Sequence, residues 1–125
     1  MGALFVSAVQ ANGVALLDET DGNAAKDLVT GAANGTKVYA VNAYNNGSAA
    51  IDVFIAIKTG VSTINLGKVS VDAAASKNLL DPTIVPALME DGSVLLGPAS
   101  ILQVHTAVLP SAGENVQVVA QAADY

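Results

Sequence analysis

The sequence predicts an all-β fold of antiparallel sheet, and three observations carry that expectation. In Ile51-Asp52-Val53-Phe54-Ile55-Ala56-Ile57-Lys58, the residues Ile51, Val53, Ile55 and Ile57 fall on every second position. Period two places them on one face of an extended strand. Three Asn-Gly pairs, Asn12-Gly13, Asn34-Gly35 and Asn46-Gly47, separate apolar runs. Asn-Gly favours the tight turns of hairpins, which need positive φ at both central residues. Apolar runs and turn signals then alternate along the rest of the chain.

Residues 4–10 read as a first strand, and Asn12-Gly13 as a tight turn into a short second strand at 14–17. Asp18-Glu19-Thr20-Asp21-Gly22-Asn23 is a polar, acidic loop. Residues 24–29 fit either a short strand or a loop. Asn34-Gly35 opens a strand over 36–44, and Asn45-Asn46-Gly47-Ser48 reads as a hairpin turn into the strand over 49–58. Thr59-Gly60 breaks the pattern; 62–66 and 68–71 read as two strands parted at Gly67. The Ala-rich stretch 72–80 has room for one or two helical turns. Asp81-Pro82 is a plausible N-cap and first helical residue, with Pro86 limiting that helix to about a turn. A short strand at 93–96 ends at Gly97-Pro98. In 101–108, Ile101, Gln103 and His105 alternate with Leu102, Val104 and Thr106; in 114–122, Val116, Val118 and Ala120 share a face. About eight short strands with regular turn signals indicate one antiparallel β-sandwich domain over 1–125, jelly-roll or immunoglobulin-like, with 1–12 as an extended N-terminal strand or arm.

Composition narrows the function. A chain of 125 residues is one ordinary domain, able to bury a core without disulfides or metal. It has no cysteine, hence no disulfide framework, thiolate zinc site or thiol nucleophile. Five basic residues, all lysine, stand against eleven acids, for a net charge of -6. That balance argues against nucleic acid and against an anionic membrane surface as partners. No apolar run approaches the ~18 residues of a membrane span. The chain is 52% hydrophobic and only 13% charged, about half the usual charged share. Much of the apolar count is small, with 23 alanines and 17 valines. So few charges on one domain point to surface that is covered by other subunits, since interface cores are depleted in charge.

The candidates for chemistry are sparse, and none is assigned a catalytic, cofactor-binding or metal-ligating role. His105 is the single histidine; it lies mid-strand, and no Gly-x-Ser-x-Gly elbow accompanies it. Its default role is structural. The acids of residues 18–23 suit a hard cation such as calcium in kind, but their spacing misses the EF-hand pattern, which leaves a solvated turn as the default. No phosphate-binding Gly-Lys-Ser/Thr occurs. The absence of tryptophan weakens a sugar platform. Asn34-Gly35-Thr36 and Asn46-Gly47-Ser48 match the glycosylation acceptor pattern, but turn chemistry accounts for both.

Leu28-Val29-Thr30-Gly31-Ala32-Ala33-Asn34-Gly35-Thr36-Lys37-Val38 resembles the opening of small tailed-phage and prophage virion structural proteins. Residues 41–45 and 49–57 resemble their next hairpin, and the ending Asn115-Val116-Gln117-Val118-Val119-Ala120-Gln121-Ala122-Ala123-Asp124-Tyr125 resembles their last strand, which often ends in Asp-Tyr. Ala122-Ala123 replaces the Gly-Gly common among them, and 81–91 has no placed counterpart. The resemblance implies a capsid decoration or cement protein: a β-sandwich, often a homotrimer, fixed to the capsid exterior of a bacteriophage by contact with the major capsid protein. It implies no catalytic residue and no cofactor. The arm 1–12 is the expected reach toward the coat. Two rivals remain open: a receptor-binding or fibre module using Tyr44, Asn45, Asn46 and Tyr125 gathered at one end, and a small hydrolase pairing His105 with acids.

Overall fold

A computed structural model describes residues 9–10, 12–20, 24–81 and 92–125. Its strands are β1 (Val9–Gln10), β2 (Gly13–Asp18), β3 (Lys26–Thr30), β4 (Thr36–Asn45), β5 (Ile51–Thr59), β6 (Ser62–Val71), β7 (Ala75–Asn78), β8 (Val94–Leu96), β9 (Ile101–Thr106) and β10 (Asn115–Asp124). No helix occurs among the described residues. The expected all-β sandwich is what forms.

Two antiparallel sheets face each other. Sheet A runs β2–β10–β4–β7, with β1 continuing β2 along one side of β10 and β8 continuing β7 along the far side of β4. Sheet B runs β3–β9–β5–β6. The pairing is nested: β2 with β10, β3 with β9, β4 with β7 and β8, β5 with β6. That first-with-last nesting is the connectivity of a jelly roll, and it resolves the choice that strand counting left open.

Alternation builds the core. Val38, Val41 and Ala43 of β4 and Val116, Val118, Ala120 and Ala122 of β10 point inward from sheet A. Val53 and Ile55 of β5, Val69 and Val71 of β6, and Leu102 and Val104 of β9 meet them from sheet B. Much of the valine therefore sits inside, while among the described alanines only Ala43, Ala56, Ala120 and Ala122 are buried, and sheet A contributes the smaller side chains.

The turn dipeptides do something other than expected. None of the three Asn-Gly pairs closes a hairpin. Gly13 begins β2 on the same edge that β1 occupies. Gly35 lies between β3 of sheet B and β4 of sheet A, and its N–H donates to the Ala32 carbonyl at 2.9 Å. Gly47 lies where the chain crosses from β4 in sheet A to β5 in sheet B. The tight hairpin is β5–β6, where Thr59 pairs with Ser62 and the loop is Gly60-Val61. Gly60 has φ 65° while Val61 is not among the positive-φ residues, the type II′ pattern in which glycine takes the first place.

Two further expectations are corrected. Residues 62–71 are one strand, not two: Ile55 pairs with Gly67 and Ala56 with Asn65, so Leu66 is the extra residue of a bulge. The Ala-rich stretch 72–80 forms no helical turn. Ala75–Asn78 pairs with Asn42–Asn45, satisfying an edge of β4 that local helix preference cannot. Pro82 and Pro86 lie outside the described residues, as do residues 1–8 of the predicted arm.

The β2/β3 side of the sandwich is closed tightly. The Lys26 ammonium donates to the Leu16 carbonyl at 2.8 Å. Gly13 lies so near β3 that a Cβ built on it would stand 1.8 Å from the Leu28 carbonyl oxygen. Only a glycine fits there.

Candidate interaction surface

The two outer faces differ in chemistry. On sheet B, the residues that alternate with the core are mostly polar or charged, namely Asp27, Gln103, His105, Asp52, Lys58, Thr63, Asn65 and Lys68, with Phe54, Ala56 and Ile101 set among them. Most of the polar ones are bonded in pairs across strands. The Gln103 amide donates to Asp27 at 2.7 Å and accepts from Thr63 at 3.3 Å. Lys68 and Asp52 stand 3.6 Å apart, both solvent-exposed enough for the pair to contribute little.

His105 belongs to this face. Its ring stacks on Phe54, centroids 4.8 Å apart and planes 10° from parallel, and its Nε2 is 3.1 Å from the Asn65 side-chain oxygen. An amide and a phenyl ring hold the imidazole; neither is a nucleophile for it to activate. Among the described residues no three His, Cys, Asp or Glu side chains gather into a metal site. Asp18 is turned to local work: one of its carboxylate oxygens accepts from the Thr20 N–H at 2.9 Å and from its hydroxyl at 2.6 Å, an Asx-type turn. Asp21, Gly22 and Asn23 lie outside the described residues.

The residues of the receptor-binding alternative are not brought together. Tyr44 and Asn46 stand at the end of β4, whereas Tyr125 is tied to its beginning, its N–H donating to the Gly35 carbonyl at 3.0 Å. Asn45 is only 3% exposed and faces inward, where its amide clamps the β4–β5 crossover. Of the N-terminal arm, Val9 and Gln10 pair with Asp124 and Ala123 in sheet A.

Sheet A presents the opposite surface. Six of its outward residues are large, apolar and exposed: Val14 and Leu16 on β2, Val119 on β10, Tyr39 and Tyr44 on β4, and Leu95 on β8. The rest are uncharged amides or small groups. The rows read Ser76–Tyr44–Gln117–Leu16 and Asn78–Asn42–Val119–Val14 across the sheet. Charge enters only at the ends, with Asp18 opposite Asn115 and Lys37 opposite Ala123. Val14, Leu16, Gln117 and Val119 bound a shallow apolar depression between β2 and β10.

This face is the feature that sequence analysis missed as a unit. Its signal was present in β2, where Val14 and Leu16 alternate with Ala15 and Leu17, so that both faces are apolar. A strand exposed to water on one side does not normally carry that pattern. No protein-family model matches the chain, and no curated protein is similar enough to count as a relative. The outer face of sheet B is mostly polar and bonded across its strands, and that of sheet A is partly apolar with charge only at its ends. Exposed apolar side chains grouped as Val14, Leu16 and Val119 are here are the kind of surface that contact sites use.

Proposed function

We propose that this chain is a non-enzymatic structural component of a virion: a capsid decoration or cement protein on the exterior of a bacteriophage head. Its partners are the major capsid protein and further copies of itself. The observation that carries the proposal is the outer face of sheet A, which holds six exposed large apolar residues and no charge between its ends. The resemblance of residues 28–125 to small virion proteins gives that contact surface a setting.

The work done would be linkage. A small domain that binds only the assembled shell stabilises assembly by its binding free energy. Repetition over the lattice, with copies joined to one another, raises effective affinity without new contacts at each site. A rigid sandwich suits that role, because few groups need ordering on contact.

The test is direct. Purified chain is mixed with undecorated shells assembled from the major capsid protein of the phage or prophage that encodes it, and the shells are sedimented. Saturable co-sedimentation in a fixed ratio to coat subunits, together with a higher shell disruption temperature, is expected. Failure to bind such shells, or absence of the chain from the native particle, refutes the proposal.

A further inference from the structure

We infer that the outer face of sheet A is covered by a second copy of this chain, packed sheet to sheet about a two-fold axis. The inference rests on the proposed assembly role and names the partner of that face.

The face carries its own complement. One half, over β4, bears the raised side chain of Tyr44, 40% exposed and level with the hollow; Tyr39 and Leu95, 46% and 54% exposed, stand at the other end of β4, where Leu95 pairs with Lys37. The other half, over β2 and β10, bears the depression bounded by Val14, Leu16, Gln117 and Val119. Strand order puts the centre of the sheet between β10 and β4. A two-fold axis running along the strands at that centre lays β4 of each copy over β10 of the other. Tyr44, in register with Gln117 and Leu16 of its own chain, then meets Gln117 beside the depression of the second copy. Knob and hollow on one patch are the condition for an isologous contact, in which each copy gives what it receives.

Charge selects the same partner. The chain's net charge is -6, so two copies repel through most orientations. The acids Asp27 and Asp52 belong to sheet B, Asp72 lies beyond β6, and Glu114 precedes β10. Among the described residues, Asp81 lies beyond β7, Asp124 at the end of β10 accepts from the inward Thr36 hydroxyl, and Asp18 and Glu19 stand at one rim of the sheet A face. Across its middle the face offers Asn42, Asn78, Gln117 and Gln121, whose amides both donate and accept and can pair with their own kind.

The area suffices. A sheet four strands wide, at about 4.8 Å per strand and about 3.3 Å per residue over some seven residues, has a flat footprint of roughly 450 Å². Two copies with side-chain relief bury on the order of 1,000 Å², the lower end for a specific contact. Packing two such faces repeats what the sandwich already does within itself, at the ~10 Å spacing of stacked sheets. A pair departs from the trimer that the resemblance implies.

The experiment is mass by light scattering and sedimentation equilibrium at tens of micromolar chain, without shells. The wild type is expected at the mass of two copies. Tyr44→Glu and Val119→Glu are expected at the mass of one, with unchanged far-ultraviolet circular dichroism; Val14→Glu, at a position 75% exposed on the edge, gives the same answer should either fail to fold. Ser70→Glu, on the opposite sheet, is expected to leave the pair intact. A monomeric wild type, a trimer, or a pair that survives Val119→Glu overturns the inference. So does a monomer whose attachment to shells is abolished by Val119→Glu, which assigns the face to the coat. A chain that pairs yet never sediments with shells refutes the proposed function alone.

Discussion

Replacing Asn45 by alanine tests whether the β4–β5 crossover is held by one buried amide. Its Nδ2 donates to the carbonyls of Ala49 at 2.8 Å and Val71 at 3.1 Å, and its Oδ1 accepts from the Gly47 N–H at 2.9 Å. Asn45→Ala removes all three. Ala49 is exposed, so water replaces its partner. Val71 is 0% exposed and Gly47 is buried, so one carbonyl and one N–H are left dry. An orphaned buried group costs about 1–3 kcal/mol, and a lost neutral bond about 1 kcal/mol. The expected destabilisation is therefore about 3–5 kcal/mol, which lowers Tm by roughly 10–20 °C for a domain of this size. Urea unfolding followed by circular dichroism measures it, with the slope unchanged. Asn46→Ala is the comparison: Asn46 is exposed and its side chain accepts one bond, from the Asn115 N–H at 2.7 Å, so its loss is expected to cost under about 1 kcal/mol. A loss below about 1 kcal/mol for Asn45→Ala, or equal losses at both positions, refutes the argument that this amide is a structural clamp.

Two other substitutions probe the remaining features. Gly13→Ala drives a methyl group to within 1.8 Å of the Leu28 carbonyl oxygen; β2 and β3 must separate, at a cost of about 3 kcal/mol, and amide exchange in β2 and β3 is expected to rise before exchange in β5. Retention of wild-type stability would show that this edge is not closed. His105→Ala removes one ring stack and one amide contact from a half-buried position, an expected loss of about 1 kcal/mol with the two-copy mass unchanged; a monomeric variant would move the pairing face to sheet B.

The strands themselves were largely legible. β4, β5, β9 and β10 announce themselves by period-two alternation, because one side of each faces the core and the register cannot slip without inverting every side chain. The turns were not. Asn46-Gly47 and Asn34-Gly35 encode a local change of direction, but whether the next strand pairs with the last or crosses to the other sheet depends on partners far along the chain. Gly67 looked like a strand end and is next to a bulge, since a bulge is set by the count of residues on the opposite strand. Ala75–Asn78 has helical composition and becomes strand because β4 has an edge to fill. The outer face of sheet A stayed hidden for a related reason: Val14, Tyr44 and Val119 come from three strands scattered over the sequence, and only the sheet order brings them to one end of one face. His105 and Asp18 make contacts that the sequence did not name, a ring stack on Phe54 and a turn closed by Thr20.

The nested strand order also dictates when the molecule can take shape. Leu17 pairs with Val116 and Val104 with Lys26, so the outer layers of the roll unite distant parts of the chain, while the β5–β6 hairpin needs only its own neighbourhood. Topology of that sort makes for slow acquisition of the native state. On the ribosome, the hairpin can form early; β2 must wait unpaired, with Val14 and Leu16 uncovered, until β10 emerges to close the fold.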